Sequence, residues 1–134
     1  MVEKDILIDG AGGVLGRLAA FAAKQALRGN KVLIFNCNNV IISGTKSNIM
    51  ARYNEKRARG SDAQKGPYIP RQPKDLFKRT IRGMLQYKKV QGMKAYRRIT
   101  TFADVPQQYV AQKKLTFKRD VHKHITLLEL SRLI

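Results

Sequence analysis

Acidic residues are scarce in this sequence. Nine Asp and Glu stand against 27 Lys and Arg, so the formal net charge at pH 7 is +18. A compact chain with this charge repels itself, and a polyanion relieves the repulsion most effectively. The composition therefore favours nucleic acid as the partner first, an anionic membrane surface second and an acidic protein third.

Cysteine, histidine and long apolar runs are also rare. The one cysteine, Cys37, excludes an intrachain disulfide and a multi-cysteine zinc site, and we expect it to be a small core residue rather than a catalytic thiol. His122 and His124 have no cysteine nearby, which argues against a metal site. No apolar run approaches the roughly 20 residues of a membrane span, and the first residues lack a secretory pattern. A cytosolic protein is therefore expected.

The length of 134 residues predicts one domain, 1–134, and the 43% of hydrophobic residues argues against wholesale disorder. We divide the chain by charge into a βαβ core (1–45), a basic central block (46–98) and a closing strand with a C-terminal helix (99–134). The central block holds 16 of the 27 Lys and Arg and only three acidic residues. It is the stretch expected to face a phosphate backbone.

The first 35 residues have the pattern of a parallel βαβ unit. Ile6–Ile8 and Lys31–Phe35 are short β-branched apolar runs that predict buried strands. Between them, apolar residues at helical spacing predict a helix over about 14–27, and Gly29-Asn30 ends it. The sequence therefore predicts an α/β fold.

The glycines between the first strand and helix do not match a dinucleotide fingerprint. Gly10 and Gly12 supply two positions of G-x-G-x-x-G, but the third falls on Leu15, one residue before Gly16. No acidic residue follows the second strand, and 44–47 does not have the phosphate-loop order. We interpret 10–13 as a tight turn whose glycines allow close packing. The N-terminus of the helix that follows could still bind an RNA phosphate.

A short apolar run, 38–44, precedes the central block and is either a strand end or a packed loop. A helix is predicted over about 45–59, with Arg52, Lys56 and Arg59 three to four residues apart on one face. That face is either an ordinary solvated surface or part of an RNA contact.

Three prolines and two glycines within 60–73 predict an extended loop. Tyr68 lies there between Lys65 and Arg71. An exposed tyrosine among cations stacks on an unpaired base or packs to hold the loop, and the sequence leaves both open.

The helix that begins at Pro73 is the clearest in the chain. Lys74, Lys78 and Arg82 repeat every four residues on one side of it, and Arg79 lies beside them. A row of one sign is unfavourable in an isolated helix and unlike a typical mixed solvated face. We interpret it as a phosphate-facing edge. The core-facing stripe, from whose centre this row is turned away, comprises Leu76, Phe77, Thr80, Ile81, Met84 and Leu85.

Lys88 and Lys89 lie in the connection that follows, and a short helix is predicted over Gly92–Arg98 with Lys94, Arg97 and Arg98. Strands are predicted at Ile99–Phe102 and Leu115–Phe117. The apolar spacing of His124–Ile134 predicts a C-terminal helix that docks on the core or on a partner protein. No catalytic constellation is evident.

Four motifs, in order, resemble the large-subunit ribosomal protein L-thirteen family, particularly its archaeal and eukaryotic cytosolic branch. They are Asp9 to Ala19, Ile42-Ser43-Gly44, Gly66-Pro67-Tyr68 and Arg79 to Leu85. Gln86 departs from the family pattern, which usually has proline there. The resemblance implies a three-layer α/β/α fold with a four-stranded parallel sheet. It also implies a structural rather than enzymatic role in the large subunit, with large-subunit rRNA and neighbouring ribosomal proteins as partners and no cofactor.

The RNA-contacting role carries over from the family most directly to Arg79, Arg82 and Lys88, and to the loop Gly66-Pro67-Tyr68. The rival reading is a nucleotide-dependent enzyme with a Rossmann-like core, against which the misplaced glycines count. The residues predicted to contact RNA are Arg52, Lys56, Arg59, Lys65, Gly66, Pro67, Tyr68, Arg71, Lys74, Lys78, Arg79, Arg82, Lys88, Lys89, Lys94, Arg97 and Arg98.

Overall fold

A computed structural model of the chain describes residues 5–58 and 70–133. The described residues form six strands and five α-helices. The strands are β1 (Asp5–Asp9), β2 (Lys31–Phe35), β3 (Ile41–Ser43), β4 (Ile99–Thr101), β5 (Leu115–Thr116) and β6 (His124–Thr126). The helices are α1 (Leu15–Leu27), α2 (Lys46–Ala58), α3 (Pro73–Met84), α4 (Val90–Arg97) and α5 (Leu127–Leu133). Arg59, most of the predicted 60–73 loop and its residues Lys65, Gly66, Pro67 and Tyr68 lie outside the described residues.

Four strands form one parallel sheet in the order β4-β2-β1-β5. The pairing brings Ile8 opposite Ile34 and Val32 opposite Ile99, so the apolar side chains of adjacent strands share a face. The predicted α/β class, the βαβ unit and the four-stranded parallel sheet are confirmed. The runs at Ile99–Phe102 and Leu115–Phe117 contain strands, as predicted, and these strands form the two edges of the sheet.

One face of the sheet packs against α1. Ile8, Val32 and Ile34 are buried in the same cluster as the apolar residues of that helix. Four of the buried residues of α1 are alanines, whose small side chains let α3 and α4 pack closely against it. This packing fixes α3, which carries the cationic row, against the centre of the molecule.

Aromatic rings cover part of the opposite face. The ring centroid of Phe35, on β2, lies 5.2 Å from that of Phe102 and 5.1 Å from that of Tyr109. Lys114 donates from Nζ to the carbonyl oxygen of Tyr109 at 2.6 Å and lies over the Phe35 ring. These contacts tie the segment after β4 back to the sheet.

The C-terminal helix begins later than predicted. His124–Thr126, which we expected to be helical, forms β6 and pairs antiparallel with β3, so the run at 38–44 contains a strand rather than only a packed loop. The β-branched pair Ile125-Thr126 suits a strand, and the hydroxyl of Thr126 accepts a hydrogen bond from the Glu129 N–H. That cap fixes the start of α5 after Thr126.

The glycine turn after β1 is explained by packing. A Cβ at Gly10 would lie 2.7 Å from Cγ2 of Val40, and one at Gly13 would lie 2.7 Å from Cδ1 of Leu18. The carboxylate of Asp9 accepts hydrogen bonds from the Ala11 N–H and the Asn36 amide, which fixes the ends of β1 and β2 together. The close-packing interpretation of this turn is confirmed.

The apolar stripe of α3 is confirmed at Leu76, Phe77, Ile81 and Leu85, all of which are buried. Met84 was wrongly assigned to this stripe, since its side chain is 44% exposed. The helix ends at Met84. The backbone of Leu85 is extended, and it is the side chain of Leu85, not that of Met84, that packs into the core.

The chain leaves α3 through a narrow turn. The Tyr87 N–H donates to the carbonyl oxygen of Leu85 at 2.8 Å, so Gln86 is the central residue of a γ-turn. The only non-glycine residue with positive φ in the described part of the chain is Asn36, so this is the inverse γ-turn, in which the central φ is about −75°. That value is one a proline takes without strain.

Candidate nucleic-acid interface

The cationic row of α3 lies on the side of the helix turned from its buried stripe. Lys74 is exposed, and Lys78 and Arg82 are half-buried because each lies over an aromatic ring. The Nζ of Lys78 is 4.7 Å from the ring centre of Tyr96, and the Arg82 guanidinium carbon is 4.0 Å from that of Tyr87. These cation–π contacts orient the two side chains without neutralising them, so the row keeps its positive charge.

A second group of cations surrounds a cavity between α1, α2, β3 and α3. The cavity has a volume of about 620 Å³, and its lining includes Arg52 and Lys56 from α2 and Arg79 from α3. Leu15, Ile42 and Leu76 give it an apolar floor. The fold thus brings together two cations that the sequence placed on α2 and one that it placed on α3.

Tyr53 is buried at the wall of this cavity. Burial raises the pKa of the Tyr53 hydroxyl, and the neighbouring Arg52 charge partly opposes that shift. The Nζ of Lys56 lies 5.0 Å from the ring centre of Tyr53. The phenol is therefore neutral at physiological pH and offers an aromatic surface next to two cations.

The remaining predicted cations lie around α3 and on α4. Arg71 precedes α3, Lys88 and Lys89 occupy the turn after it, and all three side chains are exposed. On α4, Lys94 and Arg97 are exposed as well.

Arg98 differs from these cations because its side chain has an internal partner. Its Nη1 donates to the carbonyl oxygen of Ala26 at 2.8 Å, at the C-terminal end of α1. A cation satisfies a terminal helix carbonyl and interacts favourably with the helix dipole there. The structure therefore gives Arg98 a role within the fold.

One ion pair joins Nζ of Lys46 to Oε1 of Glu129 at 3.9 Å, and both side chains are about half exposed. None of the cations of α3 or of the cavity takes part in it. With 27 Lys and Arg against nine Asp and Glu in the sequence, the acidic residues are too few to neutralise the cations, and most of the positive charge is left for an external partner.

Neither a membrane span nor a metal cluster is present in residues 5–58 and 70–133. No helix there is long and apolar enough to cross a bilayer. No three His, Cys, Asp or Glu side chains are grouped to hold a metal ion. Cys37 is fully buried, and burial raises the pKa of its thiol to about 12. Cys37 is therefore a core residue, as predicted. A thiol with that pKa stays protonated at neutral pH and is unreactive.

Comparison with known proteins decides the family. The family model described as ribosomal protein L13 matches residues 3–108. This chain belongs to the ribosomal protein L13 family. Large ribosomal subunit protein uL13 of Methanocaldococcus jannaschii is 40% identical over 129 residues, covering 94% of each chain. The protein of that name from Archaeoglobus fulgidus is 40% identical over 133 residues, covering 94% of this chain and 85% of its own. The predicted family and its archaeal affinity are confirmed.

Sequence reasoning missed two features of this L13-family chain. Gly16 and Gly83 line the cavity, although they are 67 positions apart in the chain. Lys118 and Arg119 lie beside the glycine turn, where the Arg119 N–H donates to the carbonyl oxygen of Gly12. For the cavity, one signal was available in the sequence: Gly16 and Gly83 each interrupt a helical pattern, where a glycine normally lowers stability.

Proposed function

We propose that this L13-family protein is a structural constituent of the large ribosomal subunit. It binds large-subunit rRNA, contacts neighbouring ribosomal proteins and supports subunit assembly and translation in the cytoplasm. The proposal is supported by family membership and by the names of the archaeal relatives. The role is that of a scaffold rather than an enzyme.

The observation that carries RNA binding is the one-sign row of α3, held on the outer side of a helix whose other side is buried. Cations fixed in this way meet successive phosphates without first losing the freedom of a mobile segment. The proposed phosphate contacts in the described residues are Arg52, Lys56, Arg71, Lys74, Lys78, Arg79, Arg82, Lys88, Lys89, Lys94 and Arg97.

The loop residues Gly66, Pro67 and Tyr68, together with Arg59 and Lys65, are proposed as further contacts on the strength of the sequence. Arg98 is proposed chiefly as the cap of α1, which holds α4 and its cations in place.

The test is the salt dependence of binding to large-subunit rRNA. Replacing Lys78 and Arg82 by alanine removes two cations that meet phosphates, together with the counterion release that they cause. The slope of log affinity against log salt is expected to fall by roughly 0.7 to 0.9 for each cation replaced. Filter binding at several salt concentrations measures it.

The matched control replaces Lys113 and Arg132 by alanine. Both side chains are exposed cations outside the central block, so the change in net charge is identical. The control slope is expected to stay at the wild-type value. Equal slopes for the two double variants would show that total charge, rather than the α3 face, binds the RNA.

A further inference from the structure

Most glycines in the described part of the chain have a reason within the fold. Three have a left-handed φ, between 75° and 130°, that other residues rarely adopt. Three others have a neighbouring atom within 2.7 Å of the position that a Cβ would occupy. The first group is Gly12, Gly29 and Gly44, and the second is Gly10, Gly13 and Gly92.

Gly16 and Gly83 have neither reason. Gly16 lies in α1 and Gly83 in α3, and both are exposed. Apart from the adjacent residues and the backbone of the same helix, no atom lies within 4 Å of the position that a Cβ would take at either glycine. Glycine within a helix is destabilising relative to alanine. Both nevertheless line the same 620 Å³ cavity. Packing inside the protein does not account for these two missing side chains, whereas a ligand that approaches both helix backbones does.

The chemistry of the cavity describes that ligand. Its floor is apolar, Tyr53 offers an aromatic surface, and Arg52, Lys56 and Arg79 supply positive charge. No acidic residue is among its lining residues in the described part of the chain. A volume of this size lies within the range of roughly 300 to 1,000 Å³ that is typical of small-ligand pockets. The complementary ligand has a flat apolar body and a negative charge, as a nucleotide does.

We propose that this groove holds one unpaired nucleotide of the bound rRNA. Its base lies against the apolar floor, its sugar passes over Gly16 and Gly83, and its phosphate meets the rim cations. A double helix keeps its bases stacked and paired, so only a loop, bulge or single-stranded end supplies such a nucleotide. The inference rests on the proposed function and adds the kind of RNA element that the protein recognises.

The test fills the groove without changing its charge. Gly16→Leu and Gly83→Leu are made in the full chain, and Ala20→Leu places the same bulk on an exposed part of α1 that does not line the groove. Binding of in vitro transcribed large-subunit rRNA is measured over a range of salt concentrations, and thermal unfolding is followed for each variant. Gly83→Ala is included as a smaller change that keeps the test valid if a leucine variant does not fold.

The groove variants are expected to unfold at or above the wild-type temperature, since a helix former replaces glycine. Their affinity for rRNA is expected to fall on the order of tenfold for leucine, and less for Gly83→Ala. The salt slope is expected to stay at its wild-type value because no cation is removed. Ala20→Leu is expected to bind as the wild type does.

Folded groove variants with wild-type affinity for rRNA would overturn this proposal. RNA binding itself would remain supported if replacing Lys78 and Arg82 still lowered the slope, so the two failures are distinguishable. Variants that bind naked rRNA normally but do not enter large subunits would assign the groove to a neighbouring protein and also overturn it. A third outcome is that micromolar AMP raises the unfolding temperature of the wild type but not of Gly83→Leu, while the two proteins bind rRNA equally well. The groove would then bind a free nucleotide rather than rRNA, and the proposal would be overturned.

Discussion

The two basic helices, α2 and α3, are held by the fold in different ways. α3 packs against α1, β4, the 3₁₀ turn Cys37–Asn39 and α5, and it buries Leu76, Phe77 and Ile81. The buried residues of α2 are Ile49 and Tyr53, and its start is joined to α5 by an exposed ion pair that contributes little. The difference indicates that α3 is a fixed platform for its cations. The helix α2, which forms one wall of the groove, is held less firmly, so its position depends more on what is bound there.

The packing of α3 gives the largest predicted effect. Replacing Phe77, which is fully buried, by alanine is expected to lower the free energy of unfolding by about 3 to 5 kcal/mol, because a large cavity opens under the helix. Denaturant unfolding measures the change. The exposed neighbour Met84, replaced by alanine, is the control and is expected to change stability by no more than about 0.5 kcal/mol. Similar reductions in stability at both positions would contradict the platform description.

The buried thiol of Cys37, in the 3₁₀ turn under α3, predicts that the free energy of unfolding decreases at high pH. The pKa of Cys37 is about 12 in the folded chain against an ordinary value of 9.0, so between these values the unfolded state has released a proton that the folded state keeps. Stability from this group is therefore complete below pH 9 and is lost as the pH rises, by about 1.4 kcal/mol for each pH unit.

The Cys37→Ala variant separates this effect from that of other groups. It lacks the thiol, so its unfolding free energy is expected to fall less steeply than that of the wild type as the pH rises above the ordinary thiol pKa of 9.0. Parallel pH profiles for the two proteins would show that the thiol is not protected from ionisation by burial.

Hydrogen exchange compares the two helices directly. Amide protons of α2 are expected to exchange on the order of tenfold faster than those of α3, because fewer buried side chains must separate when α2 opens. Bound rRNA is expected to slow α2 more than α3. Equal protection of both helices in the free protein would remove the distinction between platform and wall.

The end of α3 gives the smallest predicted effect. The inverse γ-turn at Gln86 and the extended backbone of Leu85 both suit a proline at position 86. Gln86→Pro is expected to stabilise the fold by about 0.4 to 1 kcal/mol, by restricting the unfolded chain. Thermal unfolding measures it, and Met93→Pro, inside α4, is the contrasting change that is expected to destabilise, because it removes the hydrogen bond from the Met93 N–H to the carbonyl oxygen of Lys89. Reduced stability in Gln86→Pro would contradict the inverse γ-turn at this position.

Features that depend on neighbouring residues could be predicted from the sequence, whereas features that depend on residues far apart in the chain were missed. The buried stripe and cationic row of α3 follow from local spacing, and so does the βαβ unit. The β6 strand could not be predicted, because it depends on an open edge at β3 more than 80 residues earlier. The cap that Arg98 places on Ala26 joins residues 72 apart.

The groove is missed for the same reason. Its shape exists only once α1, α2, β3 and α3 meet, and a sequence pattern records each glycine but not the empty space beside it. Sequence periodicity therefore locates faces of helices, whereas sites between elements require the fold.

The most direct measurement of the central claim is ultraviolet crosslinking of RNA to this protein in intact large ribosomal subunits, with each attached peptide identified. We predict crosslinks from α2, α3, the Leu85–Lys89 turn and α4, with the groove residues joined to a single-stranded rRNA segment. Crosslinks confined to α5 and the β3–β6 sheet, with none from α3, would contradict the assignment of the basic face to rRNA.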